Sequence, residues 1–85
     1  MAEYNVFLKR SAEKELRMLP DQLHDRMVAN LQNLKQNPRP PGVKKLSGRK
    51  GYRIRVGDYR VLFMIDDVSN KVEVYAIRHR RDVYR

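Results

Sequence analysis

Arginines crowd the last third of the chain: Arg53 and Arg55 two apart, then Arg60, then Arg78, Arg80 and Arg81 around His79, with Tyr84 close behind. A guanidinium is a rigid fork of donors that keeps its proton, so several of them on adjacent strands can converge on one phosphate. Phosphodiester cleavage in RNA needs a 2′-hydroxyl in line with its own phosphate, a proton acceptor, a proton donor and stabilisation of a phosphorane-like transition state. The arginines suit the last task, and His79 and Tyr84 are candidates for the proton steps. Each has a plainer reading: His79 as a strand-end residue bonded to a backbone carbonyl, to which spacing alone leans, and Tyr84 as a stacking or merely exposed aromatic. The carboxylates do not assemble a rival site, because Asp58, Asp66 and Asp67 fall at turn signals and Asp82 has arginines beside it. That argues against a paired-carboxylate hydrolase or a two-metal nuclease. His24, among Gln22, Asp25 and Arg26, reads as a surface residue. There is no cysteine and no Walker, dinucleotide or zinc pattern, so the expectation is a cationic site using neither metal nor cofactor.

The elements that must hold these residues are legible from their periods. In Tyr52-Arg53-Ile54-Arg55-Val56 strict alternation puts both arginines on one face and the apolar residues on the other. Gly57-Asp58 then matches a two-residue hairpin turn that needs positive φ. Tyr59 to Ile65 contains Val61-Leu62-Phe63-Met64-Ile65, apolar on both faces as in a central strand, and the turn 66–70 leads into a third strand from Lys71 to about His79. Upstream, Glu3 to Leu8 alternates as a first strand. Ser11 is a candidate N-cap for a short helix with Glu13 and Glu15 in its first turn and Ala12, Leu16 and Leu19 at helical spacing. Pro20 ends it, and a second helix runs from Pro20-Asp21, with Asp21 able to cap, to about Gln36 on the stripe Leu23, Met27, Leu31, Leu34. The run Pro38-Arg39-Pro40-Pro41-Gly42 and the basic segment 43–50 return the chain to the sheet, with Lys44 and Lys45 as candidate phosphate contacts and a mobile solvated loop as the commoner outcome of such composition. The expected fold is one α+β domain: an antiparallel sheet of about four strands, an N-terminal strand, and an antiparallel helix hairpin packed on one face.

The net charge of +9 is uneven: residues 1–42 hold seven Lys/Arg against five Asp/Glu (+2), and residues 43–85 hold twelve against five (+7). A field of that sign attracts nucleic acid or an acidic protein. No stretch approaches the roughly 20 apolar residues of a membrane span, and no signal-peptide pattern opens the chain, so a soluble cytoplasmic protein is expected.

At these residues a family resemblance emerges. The order strand, helix hairpin with Leu19-Pro20 between the helices, turn at Asn37-Pro38, KKLSG, YRIRVGDYRVLF and a terminal I-x-H-R-x-x-V-Y closely resembles the RelE/ParE superfamily of bacterial toxin–antitoxin toxins, the RelE branch in particular. The resemblance spans essentially the whole chain. It implies a toxin that enters the ribosomal A site and cleaves mRNA there through the 2′-hydroxyl, and that forms a hetero-oligomer with an acidic antitoxin. The family's basic pair on its second strand falls on Arg53 and Arg55, its phosphate-binding arginine on Arg60, its strand-end catalytic arginine on Arg80 and its C-terminal tyrosine on Tyr84. The basic pair is often lysine in the family; an arginine does not give up its proton, so Arg53 and Arg55 would act by charge. Arg78 and Arg81 would add contacts to the RNA backbone, and His79 stands where some relatives carry histidine and others lysine. Two alternatives stay open: a ParE-like toxin that poisons DNA gyrase by contact without chemistry, and a non-enzymatic RNA-binding module.

Overall fold

Apolar side chains at every second position build β1 (Asn5–Leu8), with Val6 and Leu8 half-buried and Asn5 and Phe7 exposed, in the computed structural model, which describes residues 3–48 and 50–83. The chain turns at Lys9 into α1 (Arg10–Arg17). Ser11 is not its cap: Lys9 holds the N-cap position without a side-chain bond, and the Ser11 hydroxyl donates instead to the Tyr75 carbonyl at 3.4 Å. That bond ties the helix to a strand, which outweighs local capping. Glu13 alone is the first-turn acid, and Glu15 lies in the next turn. Pro20 takes the N-cap position of α2 (Asp21–Asn33), and Asp21 opens the helix without capping it. The helix ends three residues before Gln36 because its last turn tightens: Leu34, Lys35 and Gln36 donate to the carbonyls three residues back.

Met27, Leu31 and Leu34 of α2 and Ala12 and Leu19 of α1 are buried, with Leu16 and Leu23 packed beside them. They meet Ile54, Val56, Val61, Phe63, Val72, Val74 and Ile77 from one face of the sheet. The core is thus a single layer between helices and sheet.

The sheet has five strands in the order β1-β5-β4-β3-β2, from β2 (Lys44–Lys45), β3 (Tyr52–Val56), β4 (Tyr59–Asp66) and β5 (Lys71–His79). Two expectations need correction. The sheet is mixed, because β1 pairs parallel to β5, with Val6 opposite Val72 and Leu8 opposite Val74. It also has a fifth strand, the two-residue edge piece β2, too short and too charged to leave an alternation in the sequence. The β3–β4 hairpin closes as expected, with Val56 opposite Tyr59 and Gly57 at φ 61. A short α3 (Arg80–Val83) follows β5.

One irregularity decides which residues share a face. Leu62 pairs with Ala76 but Phe63 pairs with Val74, so Tyr75 is an extra residue, a β-bulge. It reverses the alternation of β5. Before it Val72 and Val74 face the helices; after it Ile77 does, and Ala76 and Arg78 turn to the open face.

At the far end of β4, Asp67 takes both Arg39 guanidinium nitrogens, Nη1 at 3.2 Å and Nη2 at 2.9 Å, and accepts the Tyr4 hydroxyl at 2.6 Å. Arg39 also lies over the Tyr52 ring, 5.2 Å from its centroid. The Arg39 hydrogen bonds, helped by that from Tyr4, hold the Asp67 carboxyl below its ordinary value, and the same carboxylate pushes the Tyr4 phenol up. The cluster joins the first strand, the Pro-rich loop and the β4–β5 turn.

Two outcomes follow from this packing. Leu31→Ala removes a core side chain that is 5% exposed and is expected to cost about 2–5 kcal/mol, read from a denaturant melt. A carboxylate whose folded-state pKa is depressed stabilises the fold above its unfolded value of 3.8 and loses that contribution as pH falls through the folded value. Asp67→Asn should therefore lower the thermal midpoint at neutral pH and converge with the parent protein in acid. Parallel curves across that window would show that the cluster does not contribute.

Candidate nucleic-acid interface

Residues directly opposite in an antiparallel ladder share a face, with Cβ atoms about 5 Å apart. Arg55 of β3 pairs with Arg60 of β4, and Arg60 pairs with Arg78 of β5. Three guanidinium side chains therefore form one row across three strands, on the face turned from the helices. The neighbouring row holds Lys44, Arg53, Leu62 and Ala76. A cleft of about 160 Å³ opens here, lined by Gly42, Lys44, Arg53, Ile54, Arg55 and Arg60, with no carboxylate among them.

Like charges directly opposite each other repel, so this row is held together by the backbone against its own electrostatics. Arg55 is steadied by its Nε donating to the Gly57 carbonyl at 3.2 Å. Arg60 is half-buried, and its Nη1 is shielded from solvent without a protein acceptor. A desolvated, unpaired guanidinium nitrogen is costly to the fold. Among the described residues, no group of three or more His, Asp or Glu side chains comes together to hold a metal.

The other expected site residues divide. Lys45 pairs with Tyr52, which stacks on Phe63 over the core, so Lys45 faces away from Lys44 and Arg53. His79 pairs with Tyr59 one position beyond the arginine row, on the opposite face, with its ring edge-on to Tyr59 at 5.2 Å. Its Nδ1 accepts the Arg81 backbone N–H at 3.3 Å, which places the proton of the neutral ring on Nε2. The strand-end histidine is thus bonded to the main chain through a backbone N–H instead of the backbone carbonyl that spacing favoured. Arg80 and Arg81 are exposed at the start of α3, and the Arg80 N–H donates to the Asp58 carbonyl at 2.7 Å. The Gly57-Asp58 turn thus fixes both a row arginine and the strand-end arginine through its two carbonyls. Sequence reading saw the turn but not this task, because main-chain carbonyls carry no residue signature. Tyr84 lies outside the described residues.

Comparison with known proteins gives this geometry its context. Residues 6–84 match the family described as the ParE toxin of the type II toxin–antitoxin system parDE. The curated Toxin RelE of Mycobacterium tuberculosis is 32% identical over 84 residues, covering 96% of this chain and 87% of that protein. Among solved structures, the archaeal RelE–RelB complex from Pyrococcus horikoshii superimposes with a TM-score of 0.84 at 27% identity, over 92% of this chain and 96% of that one. A RelBE toxin–antitoxin complex of Mycobacterium tuberculosis gives 0.78 at 28% identity, over 92% and 99%. The extent of the family match, together with a relative above 30% identity across nearly the full length, makes the conclusion direct: this chain belongs to the ParE toxin family of type II toxin–antitoxin systems, and its fold is that of the RelE toxins.

Proposed function

We propose that this toxin is a ribosome-dependent endoribonuclease that cleaves mRNA in the A site. The observation that carries the reading is the row Arg55, Arg60, Arg78 beside Lys44 and Arg53, where a phosphate backbone is the anion that fits. The reaction is attack of a ribose 2′-oxygen on its own 3′-phosphate. The 2′-proton passes to an acceptor, the P–O5′ bond breaks, and the 5′-oxygen takes up a proton. The products are a 2′,3′-cyclic phosphate and a 5′-hydroxyl.

Arg60, at the centre of the row and in the wall of the cleft, suits the non-bridging oxygens of the reacting phosphate. Arg53, Arg55, Lys44 and Arg78 suit the flanking phosphates, with Lys45 and Arg81 as outlying contacts. Arg80, pinned at its backbone to the Gly57-Asp58 turn, is assigned the charge developing on the leaving 5′-oxygen, and Tyr84 a proton transfer. His79 takes a supporting part, orienting the start of α3 through Nδ1. So small a protein offers few surfaces to hold a flexible nucleotide in line, which is why the ribosome is assigned that task.

The partner is an acidic antitoxin that covers the cationic face, as the complexes of related RelE toxins with RelB suggest. The working compartment is the cytoplasm, where ribosomes are found; no helix among the described residues is long and apolar enough to cross a membrane. Association with the antitoxin should be steered by the +7 of residues 43–85. Its on-rate, measured by stopped flow, is expected to fall steeply with ionic strength; an on-rate indifferent to salt would remove the cationic face from the encounter.

The central test is a programmed 70S ribosome with an mRNA codon in an empty A site. Antitoxin-free protein is expected to cut the codon in the presence of a chelator and to leave the cyclic-phosphate end. Arg60→Gln should reduce the rate by roughly 10²–10³-fold, the scale for losing one preorganised donor to a developing oxyanion. Its thermal midpoint should hold or rise, because a like charge has left the row. No cutting by the parent protein, with inhibition of DNA gyrase by the same preparation, would replace this reading with the ParE-like one.

A further inference from the structure

The arginine row does not end in solvent on its β5 side. β1 pairs only with the stretch of β5 from Lys71 to Val74, and beyond it α1 runs beside the strand. Between them lies a second cleft of about 290 Å³, lined by Ser11, Lys14 and Glu15 of α1, by Met18 at its C-cap, and by Ala76, Ile77 and Arg78 of β5. The four residues from α1 and its cap stand at i, i+3, i+4 and i+7, a single stripe distinct from the core stripe of Ala12, Leu16 and Leu19. Arg78 belongs to both features: it closes the row and lines the cleft.

We propose that this cleft is a nucleobase subsite, and that it prefers a base carrying an amino group on its edge, cytosine, adenine or guanine, over uracil, which carries none. The proposal rests on the ribonuclease reading. A strand of RNA whose phosphates follow the row from Arg60 to Arg78 crosses about 4.8 Å per β-strand and brings the next base to the edge where α1 stands. Ala76, as a small floor residue, leaves depth. Met18, 68% exposed, offers a polarizable wall to a ring. Lys14 and Arg78 flank the cleft with charge for the attached phosphate. Glu15 supplies the selection, since an ionised carboxylate only accepts hydrogen bonds. It bonds amino groups on a base edge and is repelled by the two carbonyls that flank the single N–H of uracil. The other two acids bordering this region are engaged, Glu13 with Arg17 at 3.7 Å and Glu73 with Lys9 at 3.9 Å, whereas Glu15 has no ion pair among the described residues.

The test compares cleavage spectra on programmed 70S ribosomes carrying every codon at the A site, for the parent protein, Glu15→Gln and Arg17→Gln. Glu15→Gln adds a donor where only an acceptor stood. Preference between uracil and the amino-bearing bases at one codon position should shift by about tenfold, the scale of one hydrogen bond in base discrimination. Arg17→Gln alters charge on the same helix outside the cleft and should leave the spectrum as in the parent. Circular dichroism melts of both variants establish that they are folded, which their exposed positions favour. Superimposable spectra for parent and Glu15→Gln, both active, overturn the subsite and leave the ribonuclease reading standing. An equal shift in Arg17→Gln also overturns it, by making the effect one of helix charge. A parent protein that cuts no codon overturns the ribonuclease reading and this proposal with it.

Discussion

Mutual repulsion among Arg55, Arg60 and Arg78 is the constraint around which this structure is arranged. Three cations directly opposite one another on neighbouring strands weaken a sheet, yet here they form one ladder row. What opposes them is the core on the other face, where Val61, Phe63, Val72, Val74 and Ile77 are essentially sealed from water by α2 and α1. Burial is insensitive to salt and has no sign of charge, so it can hold a cationic surface at fixed spacing whether or not an anion is bound. The row is in this sense preformed: the cost of assembling the guanidinium groups is met whether or not any anion arrives.

Backbone irregularity does the fine positioning. The two carbonyls of the Gly57-Asp58 turn hold the Arg55 side chain and the Arg80 main chain, so the hairpin reaches across to the end of β5. The bulge at Tyr75 selects which member of Arg78-His79 joins the row. A β5 in regular alternation would have continued the phase of Val72 and Val74 through Ala76 to Arg78, turning Arg78 towards the helices and His79 towards the open face.

These features separate what the sequence discloses from what it does not. The alternation of Tyr52 to Val56 and the Gly-Asp turn were sufficient to place Arg53 and Arg55 on an open face, because period and turn chemistry are local. The burial of Leu31 and Phe63 was legible for the same reason. The parallel pairing of β1 with β5 joins residues more than 60 positions apart, and nothing within either segment specifies the direction. Ser11 shows the same limit at a smaller scale, since a good capping residue was diverted by a strand 64 residues away. His79 drew attention through its charged neighbours; its face and its Nδ1 contact depend on the bulge and the start of α3, which composition does not encode.

The Arg39–Asp67–Tyr4 cluster has a consequence beyond tying segments together. It lies past the end of β4 opposite the arginine row, and the acids Asp66 and Asp67 stand there, Asp66 accepting the backbone N–H groups of Val68 and Ser69. The acids at this pole are matched by cations, Asp67 by Arg39 and Asp66 by Lys71 across the ladder, so this end is close to neutral while unneutralised positive charge stands at the other. Such a molecule experiences a torque in an external field as well as a pull. Near a polyanion it would rotate before it touches, arriving with the open face forward, so that a larger share of collisions begin in register than its small area alone would give.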